Sequence, residues 1–257
     1  MPSLLVFTDL DGTLLDHDTY SWAPAEAALR RLRNAGVPVI FNSSKTAAEQ
    51  IVLRERIGND NPFIVENGAA VYLPTNGDYE IKRFGAERAR LVDLARGLRD
   101  ERGLRFEGFA DWTPKQLASI ADLPEEMAAL ALDRCCSEPL LWRDDEASLH
   151  WFQQRIEDEG LRLVRGGRFV HLMGRFDKSE ALEWLRERYA GLRGKAQTVL
   201  ALGDSPNDAD MLDAADIAVV IRSAKSDHVR PTHPRRVLRT EKRGPEGWQE
   251  AMDALLP

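Results

Sequence analysis

The sequence predicts an α/β fold, a parallel-sheet core made by residues 1–83 and 174–257 and interrupted by an inserted α+β domain at 84–173. Three observations predict it. Short, wholly apolar strands alternate with amphipathic helices at both ends of the chain. Acidic motifs stand where two of those strands run out. Between the two ends the order changes to longer helices and hairpin-like strands. Strands that are apolar throughout are buried on both faces, which is the property of parallel sheets covered by helices.

In order, Leu4-Leu5-Val6-Phe7 reads as a buried strand, 24–35 as an amphipathic helix closed by Gly36, and 37–41 as a second apolar strand. Residues 46–57 read as a helix ended by Gly58, and Phe63-Ile64-Val65 as a third strand. The insert contributes helices at 87–101 and 124–134 and strands at 161–164 and 169–172. The pattern of the first end then returns: helix 178–189, strand 198–202, short helix 208–214, strand 217–221. There are no internal repeats and no low-complexity tracts.

Composition narrows the function. The chain has 257 residues, 43% hydrophobic and 30% charged, which is ordinary for a soluble globular protein with a sizeable core. A formal charge of -7 argues against nucleic acid as the main partner, since gripping phosphates takes an excess of Lys and Arg. The only cysteines, Cys135 and Cys136, are adjacent and rarely able to close an unstrained disulfide, so a stapled secreted domain is not expected. The start Met1-Pro2-Ser3 has no basic region or cleavage site, and the apolar run after it is too short to span a bilayer. The expectation is a cytoplasmic protein with no membrane partner, in which the triplet Asn42-Ser43-Ser44 is a chance glycosylation match.

The chemistry begins at Asp9-Leu10-Asp11-Gly12-Thr13, where the first strand ends. Ligands of parallel α/β sheets bind at the carboxyl ends of strands. A spacing of two puts both carboxylates on one side of an extended chain, roughly 6 to 7 Å apart, so one can attack while the other handles a proton. Alone, Asp-x-Asp-Gly is a turn or a calcium-loop fragment, but a calcium loop needs Glu at position 12, where this chain has Tyr20. The second motif, Gly203-Asp204-Ser205-Pro206-Asn207-Asp208, also follows an apolar strand. Asp204 and Asp208 joined to Asp9 make a hard-oxygen cluster suited to magnesium rather than zinc, while Asn207 reads equally as a helix cap. Ser43, in Ser43-Ser44-Lys45-Thr46, is placed to donate to a phosphoryl oxygen, and Lys178 to balance the charge of Asp9 and phosphate.

These motifs, in this order, resemble those of the haloacid dehalogenase superfamily of phosphohydrolases. The position of the insert, after the Glu66-Asn67-Gly68-Ala69 turn, is similar to that of members with a large α+β cap of the second type on a Rossmann-like core. More narrowly, the segments 41–46, 66–69, 203–208 and Gly244-Pro245-Glu246-Gly247-Trp248 resemble mannosyl-3-phosphoglycerate phosphatases, as do the cap pieces Gly166-Gly167-Arg168-Phe169-Val170-His171 and Ser137-Glu138-Pro139. Many relatives in the superfamily carry Thr-Gly-Arg where this chain has Ser43-Ser44-Lys45.

The resemblance implies that Asp9 is a nucleophile that becomes an aspartyl phosphate, and that Asp11 is the acid for the leaving alkoxide and then the base for water. It implies magnesium held by Asp9, the Asp11 carbonyl, Asp204 and, directly or through water, Asp208. Lys178 and Ser43 would bind the transferring phosphoryl group. Thr13, Ser44, Lys45, Arg168, His171 and the basic run 222–236 are the candidates for the rest of a small phosphorylated sugar or sugar-glycerate. A basic run is usually a solvated loop, and a lone strand His usually a packing residue. The rivals are a general sugar phosphatase, a sugar phosphomutase, and a non-enzymatic phospho-switch, against which Asp11 speaks because a switch needs no general acid. A P-loop is excluded by Tyr189 and Ala196 around Gly194-Lys195.

Overall fold

The computed structural model describes residues 4–165 and 168–256, so Gly166 and Gly167 of the proposed cap motif lie outside the described residues. In chain order the elements are β1 (Leu4–Thr8), α1 (Glu26–Asn34), β2 (Val39–Asn42), α2 (Ala47–Ile57), β3 (Phe63–Val65), β4 (Ala70–Pro74) and β5 (Tyr79–Arg83). Then come α3 (Arg88–Arg102), β6 (Phe106–Gly108), α4 (Pro114–Ala121), α5 (Glu125–Leu132), β7 (Ser137–Trp142), α6 (Glu146–Asp158), β8 (Leu161–Arg165) and β9 (Val170–Gly174). The chain closes with α7 (Lys178–Arg193), β10 (Thr198–Gly203), α8 (Ala209–Asp213), β11 (Ile217–Arg222), β12 (Arg236–Arg243) and α9 (Gly244–Leu255). This is the expected mixed α/β fold built around a mainly parallel sheet.

The large sheet has the order β12-β11-β10-β1-β2-β3-β4-β5, with parallel pairing from β12 to β3 and an antiparallel turn-back at β4. Every residue of β1 is buried, which is why Leu4-Leu5-Val6-Phe7 shows no polar alternation. The sheet order between β1 and β2 on one side and β10 on the other puts the carboxyl ends of β1, β2 and β10 next to one another. That is the switch point at which open α/β sheets hold ligands.

The chain divides into two compact units. The first comprises 1–44, 59–81 and 177–257, and the second 45–58 and 82–176. Residues 45–58 differ from the expected division, which assigned them to the core. The reason is local: Thr46 caps α2 through a reciprocal pair with Glu49, and its hydroxyl also donates to the Leu130 carbonyl of α5 at 2.9 Å.

In the second unit an antiparallel sheet, β6-β7-β9-β8, packs Leu140 and Leu172 against Leu91 and Leu98 of α3 and Phe152 and Ile156 of α6. Glu138, 2% exposed, accepts from Nε of Arg88 at 2.7 Å and from the Ala110 N–H at 2.7 Å, so its buried charge is fully engaged. Among the described residues no helix is long and apolar enough to cross a membrane.

Candidate active site

Asp9 follows the last residue of β1 and is held by backbone on both sides: its N–H donates to Leu202 of β10 at 2.9 Å, and its carbonyl accepts from Thr8 Oγ1 at 2.7 Å. Thr8 is itself fixed by Nε1 of Trp248, the largest fully buried side chain, at 3.1 Å. Immediately afterwards the chain turns: the Leu10 carbonyl accepts from both Thr13 and Leu15, and Gly12 takes φ +77°. A Cβ at Gly12 would stand 3.0 Å from Oδ2 of Asp204, so the turn lies directly against the second acidic motif. Asp11 is half-buried on this turn.

Lys178 joins the motifs. Its side chain is 1% exposed, with Nζ 2.6 Å from Oδ1 of Asp9 and 2.7 Å from Oδ1 of Asp208. Asp177 starts α7 by accepting the Ser179 N–H at 2.7 Å, and Asn42 Nδ2 donates to the Lys178 carbonyl at 2.9 Å, so the lysine leaves a helix end pinned on two sides. Oδ2 of Asp208 accepts from the N–H groups of Asp204 and Ser205 at 3.0 and 3.1 Å. Asp208 therefore has a structural part in the site: one oxygen folds its own loop and the other holds the lysine.

Carboxylate oxygens of Asp9, Asp204 and Asp208 lie within 4.8 Å of one another, all buried. Burial pushes the Asp9 carboxyl up to about 8, against the pull of Lys178 and with the charges of Asp208 and Asp11 adding to the rise. Burial and then the Asp208 charge push Asp204 up to about 6. For Lys178, burial works to discharge it, but Asp208 and Asp9 overcome that and hold it protonated above its ordinary range. One ammonium thus serves three buried carboxylates, and the cluster remains short of positive charge. An all-oxygen donor set of this density, without His or Cys, fits a hard divalent cation.

That shortage has a measurable sign. Because Asp9 and Asp204 are raised above the ordinary value of 3.8, the metal-free folded protein holds protons that the unfolded chain has released. Their contribution to stability is present below pH 4 and is lost as pH rises through about 6 and then 8. A bound cation would replace those protons. Saturating magnesium is therefore expected to raise the Tm by about 5 to 10 °C at pH 8, and clearly less at pH 5. Calorimetry at the two pH values checks this, and an equal shift at both would remove the cluster as the binding site.

The remaining candidates divide. Thr13 is buried and its hydroxyl donates to Oδ1 of Asp204 at 3.2 Å, which orients that acid. Ser43 is fully buried at the end of β2, with its N–H donating to Ile64 at 3.2 Å, and Ser44 beside it is half-buried. Asn207 does not cap a helix: Nδ2 reaches across to Oδ1 of Asn67 at 2.8 Å, and the preceding Ser205 begins the helical turn instead. Lys45, Arg168 and His171 belong to the second unit. There Lys45 pairs with Glu49 at 3.8 Å, exposed Arg168 donates to the Ile120 carbonyl, and His171 sits on β9 between Pro139 and Val164. Sequence reasoning missed Asn42, Asn67, Thr8 and Trp248 as parts of the site. Asn42 left a local signal, an amide at the end of an otherwise apolar strand, and Asn67 and Trp248 lay within segments that stood out only by their resemblance.

Residues 6–99 match the family model described as haloacid dehalogenase-like hydrolase, and residues 146–254 match that described as sucrose-6F-phosphate phosphohydrolase. Among solved structures the fold is similar to BT1666 from Bacteroides thetaiotaomicron, described among phosphatases of the haloalkanoate (HAD) enzyme superfamily, at 22% identity over 99% of this chain and 95% of that one, TM-score 0.69. It is similar to the HAD subclass IIB sugar phosphatase BT4131 at 18% identity over 98% of each chain, TM-score 0.69. A haloacid dehalogenase-like hydrolase from B. subtilis gives 21% identity over 98% of this chain and 99% of that one, TM-score 0.67. The chain thus matches a haloacid dehalogenase-like hydrolase model near its start and a sucrose-6F-phosphate phosphohydrolase model near its end, on a fold similar to that of HAD phosphatases.

Proposed function

We propose that this protein is a magnesium-dependent phosphatase of the haloacid dehalogenase superfamily that passes the phosphoryl group through Asp9. The observation that carries the reading is the buried junction of Lys178 with Asp9 and Asp208, beside Asp204, at the carboxyl ends of β1 and β10. Lys178 occupies Oδ1 of Asp9, so Oδ2 is the oxygen assigned to attack phosphorus. As the Oδ2–P bond forms, the P–O bond to the alcohol breaks with its electron pair on the leaving oxygen, and Asp11 supplies the proton. Water then attacks phosphorus while Asp11 takes its proton, which frees inorganic phosphate and restores the Asp9 carboxylate. Lys178 draws Asp9 toward its ionised form against the effect of burial and neutralises part of the phosphoryl charge, and Ser43 donates to it. Asp9, Asp204 and the Asp11 carbonyl would hold the cation directly, with Asp208 behind a water because its oxygens already serve Lys178 and the loop. When bound, magnesium supplies positive charge between one anion and another.

The substrate class is a phosphorylated sugar. The match at 146–254 to a sucrose-phosphate phosphohydrolase family supports it. Within that class the Ser43-Ser44-Lys45 and Gly244-Pro245-Glu246-Gly247-Trp248 segments favour mannosyl-3-phosphoglycerate, or its glucosyl counterpart, in a cytoplasmic enzyme. Specificity is assigned to the inserted segment 84–173, with Lys45, Arg168 and His171 as groups for the carboxylate and the sugar. The test compares kcat/KM in magnesium buffer for these two esters, free 3-phosphoglycerate, sucrose phosphate and hexose phosphates, with Arg168→Ala and His171→Ala alongside. A site that hydrogen-bonds the sugar is expected to separate good from poor esters by about 10,000-fold. Equal or better values for hexose phosphates would move the assignment to a general sugar phosphatase. Unchanged values in both variants would take these two residues out of recognition.

A further inference from the structure

Between Val65 and Ala70, which pair as β3 turns back into β4, three consecutive residues have left-handed backbone: Glu66 at φ 49°, Asn67 at φ 62° and Gly68 at φ 100°. Two of the three carry a Cβ, and both are buried, Glu66 at 1% and Asn67 at 7% exposure. A reversal can be made with fewer such residues, and strain of this kind survives only where the surroundings enforce it. Here the surroundings are the carriers of the active site. The Asn67 N–H donates to the carbonyl of Ser43 at 2.9 Å. Its side-chain Oδ1 accepts from Asn207, the neighbour of Asp208, at 2.8 Å. Gly68 lies so close to the start of α7 that a Cβ there would be 2.0 Å from the Asp177 carbonyl oxygen and 3.0 Å from the Lys178 nitrogen.

We propose that Asn67 and Gly68 are positioning residues for Lys178 and for the loop carrying Asp204 and Asp208. The strained turn is a wedge set between three segments that come from distant parts of the chain. It fixes how far the head of α7 stands from the ends of β2 and β10, and so whether Nζ of Lys178 reaches Asp9 and Asp208 together. The proposal rests on the phosphatase reading for its kinetic consequences but not for its geometry.

Two readouts separate it from a turn that matters only for packing. The first is the rate at which an amine-acylating reagent labels Lys178 in the full-length native protein, read by peptide mass spectrometry against exposed Lys115. The second is kcat on a phosphomonoester. Gly68→Ala, which drives a methyl group into Asp177, is expected to raise Lys178 labelling about tenfold with Lys115 unchanged, and to lower kcat about 100-fold with little change in KM. Asn67→Gly keeps access to the left-handed region and removes only the amide, so it folds even if Gly68→Ala does not. It is expected to lower kcat about tenfold, and adding Asn207→Ala to it is expected to cost little more, because both changes delete one bond. Unchanged labelling and kcat in Asn67→Gly and in folded Gly68→Ala, with only a lower Tm, would overturn the proposal. If the wild type released no phosphate from any ester, the labelling arm alone would decide it, while the phosphatase reading would have failed separately.

Discussion

Asp9→Asn is expected to lower phosphomonoester turnover by about 10,000-fold or more while the protein stays folded, because an amide cannot attack phosphorus and no neighbouring group can take its place. The fold should tolerate the change. Asp9 is anchored by its backbone to Leu202 and Thr8, and the substitution removes one charge from a cluster that holds three acids and one lysine. Turnover near the wild-type rate would end the aspartyl phosphate mechanism. Asp11→Asn gives the contrast within the same assay. It should slow alkyl phosphates about 100-fold or more, and aryl phosphates much less, since an aryl oxide leaves without a proton. Equal losses on both would remove Asp11 from the acid role.

Lys178→Met should act on stability as well as rate. The methionine fills similar space but leaves Asp9 and Asp208 facing each other in a buried site without their shared cation. Breaking a buried pair in this way costs about 3 to 5 kcal/mol. The loss should depend on pH in a stated direction. Without the lysine Asp9 is raised further, so the folded variant is supported by its proton at low pH and loses that support as pH rises. Urea unfolding is therefore expected to show a larger deficit at pH 8 than at pH 5, together with a turnover loss of about 1,000-fold or more. A variant as stable as wild type at pH 8 would mean that Lys178 does not carry the charge balance of the site.

What the sequence made legible follows from locality. Asp9 and Asp204 could be read because each stands within a residue or so of an apolar strand that is buried along all or nearly all of its length, and a strand end is itself a position in space. The start of α7 was legible for the same reason, since Asp177 caps it within three residues. Edges and long-range pairs were not. β5 is exposed along most of its length, and β12 reads Arg-Val-Leu-Arg-Thr-Glu-Lys-Arg, a charged edge strand that looks like a solvated basic loop. α6 had a readable cap at Asp145 and apolar spacing at Leu149, Phe152 and Ile156, and was passed over because the insert offered no motif to anchor it. The bond from Asn207 to Asn67 joins residues 140 apart, and the local reading of Asn207 as a cap was a plausible use of the same side chain. The placement of α2 with the second unit likewise turns on its contact with α5, which no local pattern reports.

The placing of β1 between β2 and β10 also has a consequence in time. Val6 through Thr8 pair on one side with β2, made soon afterwards, and Leu4 through Thr8 pair on the other with Thr198 through Leu202, made after the entire insert has been synthesised. Thr8 then waits longer still for Trp248. Contacts that close such long stretches of chain form slowly. A nascent chain lacking α7 and β10 therefore holds Asp9 without Lys178, Asp204 or Asp208, on a central strand open along one edge. The buried cluster of Asp9, Asp204, Asp208 and Lys178 is completed late in synthesis, and the half-paired β1 is the segment that most needs shielding from other chains until then.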